Sequence, residues 1–124
     1  MNTKPVILVV DDDVPILTLM RTVLREFGFE ARVASTGPEA IAAVQKQTPD
    51  LILLDKNMPG MSGSEVVRAL RDEAGLKKVP ILILSGEPVE PDEIARFGAA
   101  GAIMKPFDVM HLIEQIRSHV GVAR

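Results

Sequence analysis

The sequence contains no cysteine. Disulfides, thiolate metal sites and cysteine nucleophiles are therefore excluded, and the composition suits a reducing compartment. Excess positive charge is also missing, because the formal net charge is −3 at pH 7. Such a chain has no strong basic field to hold nucleic acid or an anionic membrane, so we expect neither as a direct partner.

Long hydrophobic runs are absent as well. The apolar runs are short, and none approaches the roughly 20 residues that a membrane span needs. Residues 1–5 lack the pattern of a signal peptide. These features predict a cytoplasmic protein. The length of 124 residues fits one domain, 1–124, and a hydrophobic content of 47% is enough for a core.

Five short segments have the composition of β-strands, and three of them are apolar throughout, which is typical of strands buried on both faces of a parallel sheet. The predicted strands are Val6–Val10, Glu30–Ala34, Leu51–Leu54, Ile81–Leu84 and Gly101–Met104. Segments with helical spacing of apolar residues separate and follow them. The predicted helices run from Pro15 to Phe27, from Pro38 through Val44, from Ser64 to Arg71, around Ile94 and Phe97, and from Asp108 to Val120. This alternation predicts an α/β fold, a doubly wound sandwich with a parallel five-stranded sheet covered on both faces.

Polar residues follow the strands at the edge where an open α/β sheet binds its ligands. Strand one ends in Asp11-Asp12-Asp13, and Asp55, Ser85 and Lys105 follow strands three, four and five. Clustered carboxylates repel one another, and a hard divalent cation such as Mg²⁺ relieves that repulsion through oxygen ligands. Asp55 could then act as a nucleophile, while a lysine and a hydroxyl hold a phosphoryl oxygen.

Four ordered motifs, spread over nearly the whole chain, resemble the receiver domain of two-component response regulators. They are Val9-Val10-Asp11-Asp12-Asp13, Leu53-Leu54-Asp55 through Met58-Pro59-Gly60 to Gly63, Leu84-Ser85-Gly86, and Lys105-Pro106-Phe107. The resemblance implies a flavodoxin-like (βα)5 fold with strand order 2-1-3-4-5. It also implies a non-enzymatic phosphoacceptor that receives its phosphoryl group from a sensor histidine kinase or a histidine phosphotransfer protein and then acts on a downstream protein effector.

The resemblance assigns a role to each matching position. Asp55 would be the phosphoacceptor. Asp12 would bind Mg²⁺ directly and Asp11 mainly through a water molecule. The backbone carbonyl of Asn57 would complete the protein ligands. Ser85 and Lys105 would contact the phosphoryl group.

Other positions bear on the conformational change that would follow phosphorylation and on the lifetime of the aspartyl phosphate. The Lys105–Pro106 peptide is expected to be cis, and Asn57 and Glu87 match positions that tune hydrolysis of the aspartyl phosphate. Two positions depart from the family pattern, because Ala102 replaces the usual Tyr or Phe and Lys56 follows the phosphoacceptor directly. We therefore expect another element to carry the switch, namely the segment 85–91.

Three other functions fit parts of the same pattern. An aspartate-nucleophile phosphatase would need a second aspartate two residues after Asp55, where the chain has Asn57. A nucleotide or flavin binder would need a glycine-rich loop after the first strand, where the chain has three aspartates. A receiver-like adaptor that signals without phosphorylation stays open.

Several residues also have structural interpretations. Asp13 is interpreted as a helix cap, and Ser85 and Lys105, taken singly, could be a turn residue and a solvated charge. His111 and His119 are interpreted as surface residues, and the methionines as core or contact residues.

Overall fold

The structure, a computed structural model, describes residues 4–72 and 76–120. Five strands alternate with five helices. The strands are β1 (Val6–Val10), β2 (Glu30–Ala34), β3 (Leu51–Asp55), β4 (Ile81–Ser85) and β5 (Gly101–Met104). The helices are α1 (Val14–Glu26), α2 (Gly37–Lys46), α3 (Gly63–Arg71), α4 (Pro91–Phe97) and α5 (Val109–Val120), and a short 3-10 helix, Leu76–Lys78, precedes β4. The predicted elements are confirmed, with bounds that differ by a residue or two.

All strand pairs are parallel, and the strand order is β2-β1-β3-β4-β5. Both the flavodoxin-like topology and the order implied by the resemblance are therefore confirmed. The order reverses between β1 and β3, so the ends of these neighbouring strands form the switch point of the sheet. Val10 is in register with Leu54, which brings the residues after β1 beside the end of β3.

Alternate strand residues face opposite sides of the sheet and build two separate cores. On one side, residues such as Val9, Leu53 and Leu84 pack with α1 and α5. On the other side, residues such as Val10 and Leu54 pack with α2 and α3. Because both faces are covered, the three central strands β1, β3 and β4 are buried at every position, as their uninterrupted apolar sequences predict.

Side-chain caps define where three helices begin. Asp13 caps α1, since its carboxylate accepts a hydrogen bond from the Ile16 amide at 3.4 Å, so its predicted role is confirmed. Thr36 caps α2, and Ser62 forms a reciprocal capping box with Glu65 at the start of α3. These backbone amides would otherwise lack partners, so the caps fix the loops that lead from the functional edge into the helices.

Helix α4 is much less firmly specified. It has seven residues, none of them buried, and Glu90 at its N-cap forms no side-chain cap. Arg71, at the end of α3, steadies its C-terminal end because the guanidinium donates to the Gly98 carbonyl at 3.0 Å and to the carbonyls of Leu76 and Val79. A helix this short is marginal in isolation, so its position depends on such contacts. No helix in the described ranges, 4–72 and 76–120, is long and apolar enough to cross a membrane.

Candidate functional site

Three carboxylates lie together at the switch point of the sheet. Asp11 and Asp12 follow β1 and Asp55 ends β3, and each offers an oxygen within 4.8 Å of the others. Asp11 is fully buried and Asp55 is 7% exposed, whereas Asp12 is exposed to solvent. The cluster therefore has two buried carboxylates and one exposed carboxylate at an open edge. A partly hydrated cation could reach the cluster from that edge.

Lys105 provides the positive charge that these acids require. Its ammonium lies 2.9 Å from Asp11 Oδ2 and 3.4 Å from Asp55 Oδ1. Apart from this ion pair, Asp11 Oδ2 has no hydrogen-bond donor in the described part of the chain, while Asp11 Oδ1 accepts from the Asp13 amide at 2.9 Å. One ammonium thus serves two buried carboxylates, which leaves the cluster with excess negative charge.

The pKa values of these groups record that imbalance. Burial, followed by repulsion from Asp11, raises the pKa of Asp55 to about 6, and the attraction of Lys105 only partly opposes this rise. Burial by itself lowers the pKa of Lys105, but its hydrogen bonds and attraction to Asp11 and Asp55 outweigh burial and raise that pKa. The lysine therefore stays charged, and an added cation would stabilise the ionised form of Asp55.

The loop after β3 forms the second wall of the site. Asn57 is exposed and pairs with Ser62 in an isolated antiparallel bridge, which closes residues 57–62 into a compact turn. Asp12, Asn57 and the following loop residues line an open cleft of about 480 Å³. The Asn57 backbone is thus at the same cleft as the exposed carboxylate of the cluster. The predicted cis peptide between Lys105 and Pro106 is confirmed.

Ser85 is at the end of β4 and is 3% exposed, but its hydroxyl is engaged elsewhere in this structure. It donates to the Glu87 carbonyl at 2.7 Å and accepts from the Glu87 amide at 3.1 Å. This is the turn-residue geometry that the sequence left open as an alternative. The hydroxyl must release the Glu87 carbonyl before it can donate to any group on Asp55.

The residues present fit a hard divalent cation such as Mg²⁺. Three carboxylates converge, one ammonium compensates them incompletely, and an exposed backbone loop adjoins the cluster. Oxygen donors around an open edge are what Mg²⁺ prefers, because it retains several water molecules.

Replacing Asp12 by Ala is expected to leave the metal-free free energy of unfolding unchanged or to raise it by about 0.5 kcal/mol, because one repelling charge is removed. The same change should reduce the rise in melting temperature that Mg²⁺ produces. Asp13→Ala is the matched control: it should cost about 0.5–1 kcal/mol through the lost cap and leave the Mg²⁺ response intact. A clear loss of metal-free stability in Asp12→Ala would contradict a metal-binding role.

Two contacts beside the site were not predicted from the sequence. Lys56 was noted only as an unusual charge, but its ammonium lies 2.6 Å from the Glu93 carboxylate on α4. Gly63, which precedes the helix predicted from Ser64, begins α3 so close to Lys56 that an added Cβ would be 2.8 Å from the Lys56 carbonyl oxygen. The Lys56–Glu93 pair joins segments distant in sequence, and the Gly63–Lys56 contact depends on how the loop between these two residues closes, so neither has a signature in consecutive residues. His111 is exposed, as expected, whereas His119 is partly buried and its Nδ1 is 2.8 Å from the Gln115 carbonyl.

Comparison with known proteins agrees with this geometry. Residues 7–117 match the family model described as response regulator receiver domain. The DNA-binding response regulator MtrA of Mycobacterium tuberculosis is 40% identical over 116 residues, which is 92% of this chain and 50% of MtrA. The chain thus spans about half the length of that relative. The transcriptional regulatory protein PrrA of the same organism is 38% identical over 118 residues, again 50% of its length.

Solved structures resemble the chain over nearly its whole length. The chemotaxis protein CheY4 of Vibrio cholerae has a TM-score of 0.89 at 35% identity, covering 94% of this chain and 99% of CheY4. The receiver domain of the sensor histidine kinase PA1611 of Pseudomonas aeruginosa, which has a magnesium ion coordinated in its active-site cleft, has a TM-score of 0.86 at 25% identity, covering 96% and 99% of the two chains. On this fold, this acidic cluster and these matches, the chain belongs to the response regulator receiver domain family.

Proposed function

We propose that Asp55 accepts a phosphoryl group from a phosphohistidine on a sensor histidine kinase or a histidine phosphotransfer protein. The observation that carries this proposal is the shared lysine: Lys105 lies 2.9 Å from buried Asp11 and 3.4 Å from Asp55. A cation held beside a nucleophilic carboxylate can stabilise the charge of a transferring phosphoryl group.

Each residue of the site has a distinct part in this reaction. An Asp55 oxygen attacks phosphorus, an aspartyl phosphate bond forms, and the phosphorus–nitrogen bond of the donor breaks with its electron pair going to the imidazole. Lys105 holds one phosphoryl oxygen as a point charge. Ser85 donates its hydroxyl to another phosphoryl oxygen after leaving the Glu87 carbonyl, which it contacts at 2.7 Å in this structure.

The cation-binding residues would be Asp12 directly, Asp11 mainly through water, Asp55 itself and the Asn57 carbonyl. When bound, Mg²⁺ would neutralise charge on the carboxylates and the phosphoryl oxygens. The three converging carboxylates support this assignment. So does the pKa of Asp55, which burial and then repulsion from Asp11 raise to about 6, because a bound cation would stabilise the ionised carboxylates.

The phosphodonor needs a docking surface next to the site, and an apolar groove provides one. It has a volume of about 400 Å³ between α1, the loop from Lys105 to Phe107, and the start of α5. Leu19 on α1 and Val109 on α5 line this groove and are 53% and 37% exposed. Since the donor histidine must reach Asp55 beside Lys105, the donor protein has to cover this loop, and a groove of this shape would receive one of its helices.

The downstream partner is proposed to be a protein rather than DNA. MtrA is a DNA-binding regulator, but this chain corresponds to about half of its length. The net charge of −3 gives this chain no basic field for nucleic acid. Phosphorylation would act by changing the protein surface around the site, which a partner then reads.

Acetyl phosphate supplies the test of this function. With Mg²⁺ present, intact-mass analysis should show the addition of one phosphoryl group, and removal of Mg²⁺ by a chelator should abolish it. A phosphorylated histidine kinase domain or phosphotransfer protein should transfer its label to the chain. Turnover of a phosphomonoester without an aspartyl phosphate would favour the phosphatase, and no labelling by any donor would favour the adaptor.

A further inference from the structure

Lys56 connects the site to α4 through its side chain. Its ammonium lies 2.6 Å from the Glu93 carboxylate in the first turn of α4, and the two side chains are only 19% and 24% exposed. Lys56 follows Asp55 directly, and successive residues at a strand end face opposite sides of the sheet. Asp55 therefore points into the carboxylate cluster, while Lys56 reaches the face covered by α2, α3 and α4.

The backbone of Lys56 is fixed as firmly as its side chain. Its amide donates to the Leu84 carbonyl at 2.9 Å, and its carbonyl accepts from the Gly63 amide at 3.2 Å. Gly63 also contacts α4, because a Cβ placed there would be 3.0 Å from the Phe97 ring. Both ends of α4 thus rest on the segment that begins immediately after Asp55.

Helix α4 depends on these few contacts. It has seven residues, no buried side chain and no side-chain cap. Its first turn is held by the Lys56–Glu93 pair, and the segment leading into it is held by the hydrogen bonds between Ser85 and Glu87. Losing either contact would free the N-terminal turn, since little apolar burial restrains it.

We propose that the Lys56–Glu93 ion pair is a latch that holds α4 in the resting position and opposes phosphorylation at Asp55. This inference rests on the proposed function. When Ser85 leaves Glu87 for a phosphoryl oxygen, the segment 86–90 is released and the first turn of α4 moves with it. Because Glu93 is in that turn, the movement breaks the Lys56–Glu93 ion pair. Losing the attraction between these two charges makes phosphorylation less favourable. By linkage, a partner that binds α4 only after it has moved away from Lys56 favours phosphorylation by the same factor by which phosphorylation favours binding of that partner.

The test uses beryllofluoride with Mg²⁺ as a phosphoryl mimic, titrated by NMR. Lys56→Gln and Glu93→Gln each remove the latch, so both should tighten binding, by about fivefold for a partly buried pair. A purely Coulombic effect predicts opposite signs, because Lys56→Gln removes a positive charge near an anion and Glu93→Gln removes a negative one. The charge swap Lys56→Glu with Glu93→Lys should return binding to the wild-type value.

Asp92→Asn is the matched control, since it removes an exposed acid from the same turn of α4. It should change beryllofluoride binding by less than about twofold, because an exposed charge at that distance is screened. Opposite shifts for Lys56→Gln and Glu93→Gln, or shifts no larger than that of Asp92→Asn, would overturn the latch.

A second measurement separates the latch from the proposed function. In metal-free protein without mimic, hydrogen exchange of the α4 amides should be faster in Lys56→Gln and in Glu93→Gln, and the double variant should add nothing further. If the wild-type chain fails to bind beryllofluoride, the proposed function fails, and the exchange rates still decide the latch. Unchanged α4 exchange in both variants would show that no latch exists.

Discussion

An Asp55→Asn variant should take up no phosphoryl group from acetyl phosphate with Mg²⁺ under conditions that label the wild-type chain. The amide cannot form the aspartyl phosphate. Within the described residues the other acid that contacts Lys105 is Asp11, which is fully buried and therefore not accessible to a phosphodonor. Intact-mass analysis measures the loss. Asp92→Asn, an exposed acid outside the cluster, should be labelled like wild type.

The chemistry of the product gives a second check on this assignment. An acyl phosphate is cleaved by hydroxylamine, whereas a phosphoserine is not, so labelled wild-type protein should lose its added mass on treatment. Labelling of Asp55→Asn at the wild-type level would refute Asp55 as the acceptor. Labelling that survives hydroxylamine would point instead to a hydroxyl such as that of Ser85.

Lys105→Met should destabilise the metal-free protein by about 2 kcal/mol at neutral pH. Breaking a buried ion pair commonly costs about 3–5 kcal/mol, and we reduce that figure because solvent reaches part of the site. The lysine side chain is 22% exposed, but Asp11 is fully buried and would lose its ion-pair partner. Urea unfolding of metal-free protein measures the change. Lys46→Met, at an exposed lysine, should stay within about 0.5 kcal/mol of wild type.

The loss of unfolding free energy in Lys105→Met should depend on pH and should be larger at higher pH. The pKa of Asp55 is raised to about 6 in the folded wild type, above its ordinary value of 3.8. Its carboxylate therefore lowers stability as pH rises from about 4 to 6, and losing Lys105 raises that pKa further. The difference between Lys105→Met and wild type should thus be largest above pH 6 and shrink toward pH 4. Added Mg²⁺ should also reduce it. A deficit independent of pH would indicate lost packing rather than lost charge compensation.

The sequence was sufficient to predict the sheet. Uninterrupted apolar runs indicated buried parallel strands, and the polar residues directly after them indicated the functional edge. These signals are local, since strand burial is expressed in consecutive residues and the ends of parallel strands meet at one edge. Strand order was supplied by the resemblance, because residue patterns in single strands do not specify which strands are neighbours.

The contacts between side chains at the site could be identified only from the folded structure. Lys105 lies near Asp55 because β5 and β3 flank β4, although 50 residues separate the two along the chain. It also contacts Asp11 because β1 is the next strand beyond β3. The Ser85 hydroxyl is bonded to Glu87 in this structure, and its expected contact with a phosphoryl group stays a prediction. A serine at a strand end can satisfy its hydroxyl through the neighbouring backbone or through a ligand, and the sequence alone does not distinguish the two.

By itself, the sequence determined the element types, the candidate acids and the absence of thiol chemistry. The tertiary structure alone decided which charges are paired: Lys56 with Glu93, and Lys105 with two carboxylates rather than one. The physical reason is range. Backbone propensity and hydrophobic periodicity act between near neighbours in the chain, whereas Coulombic attraction and burial depend on distances in space that exist only after the sheet and helices have packed.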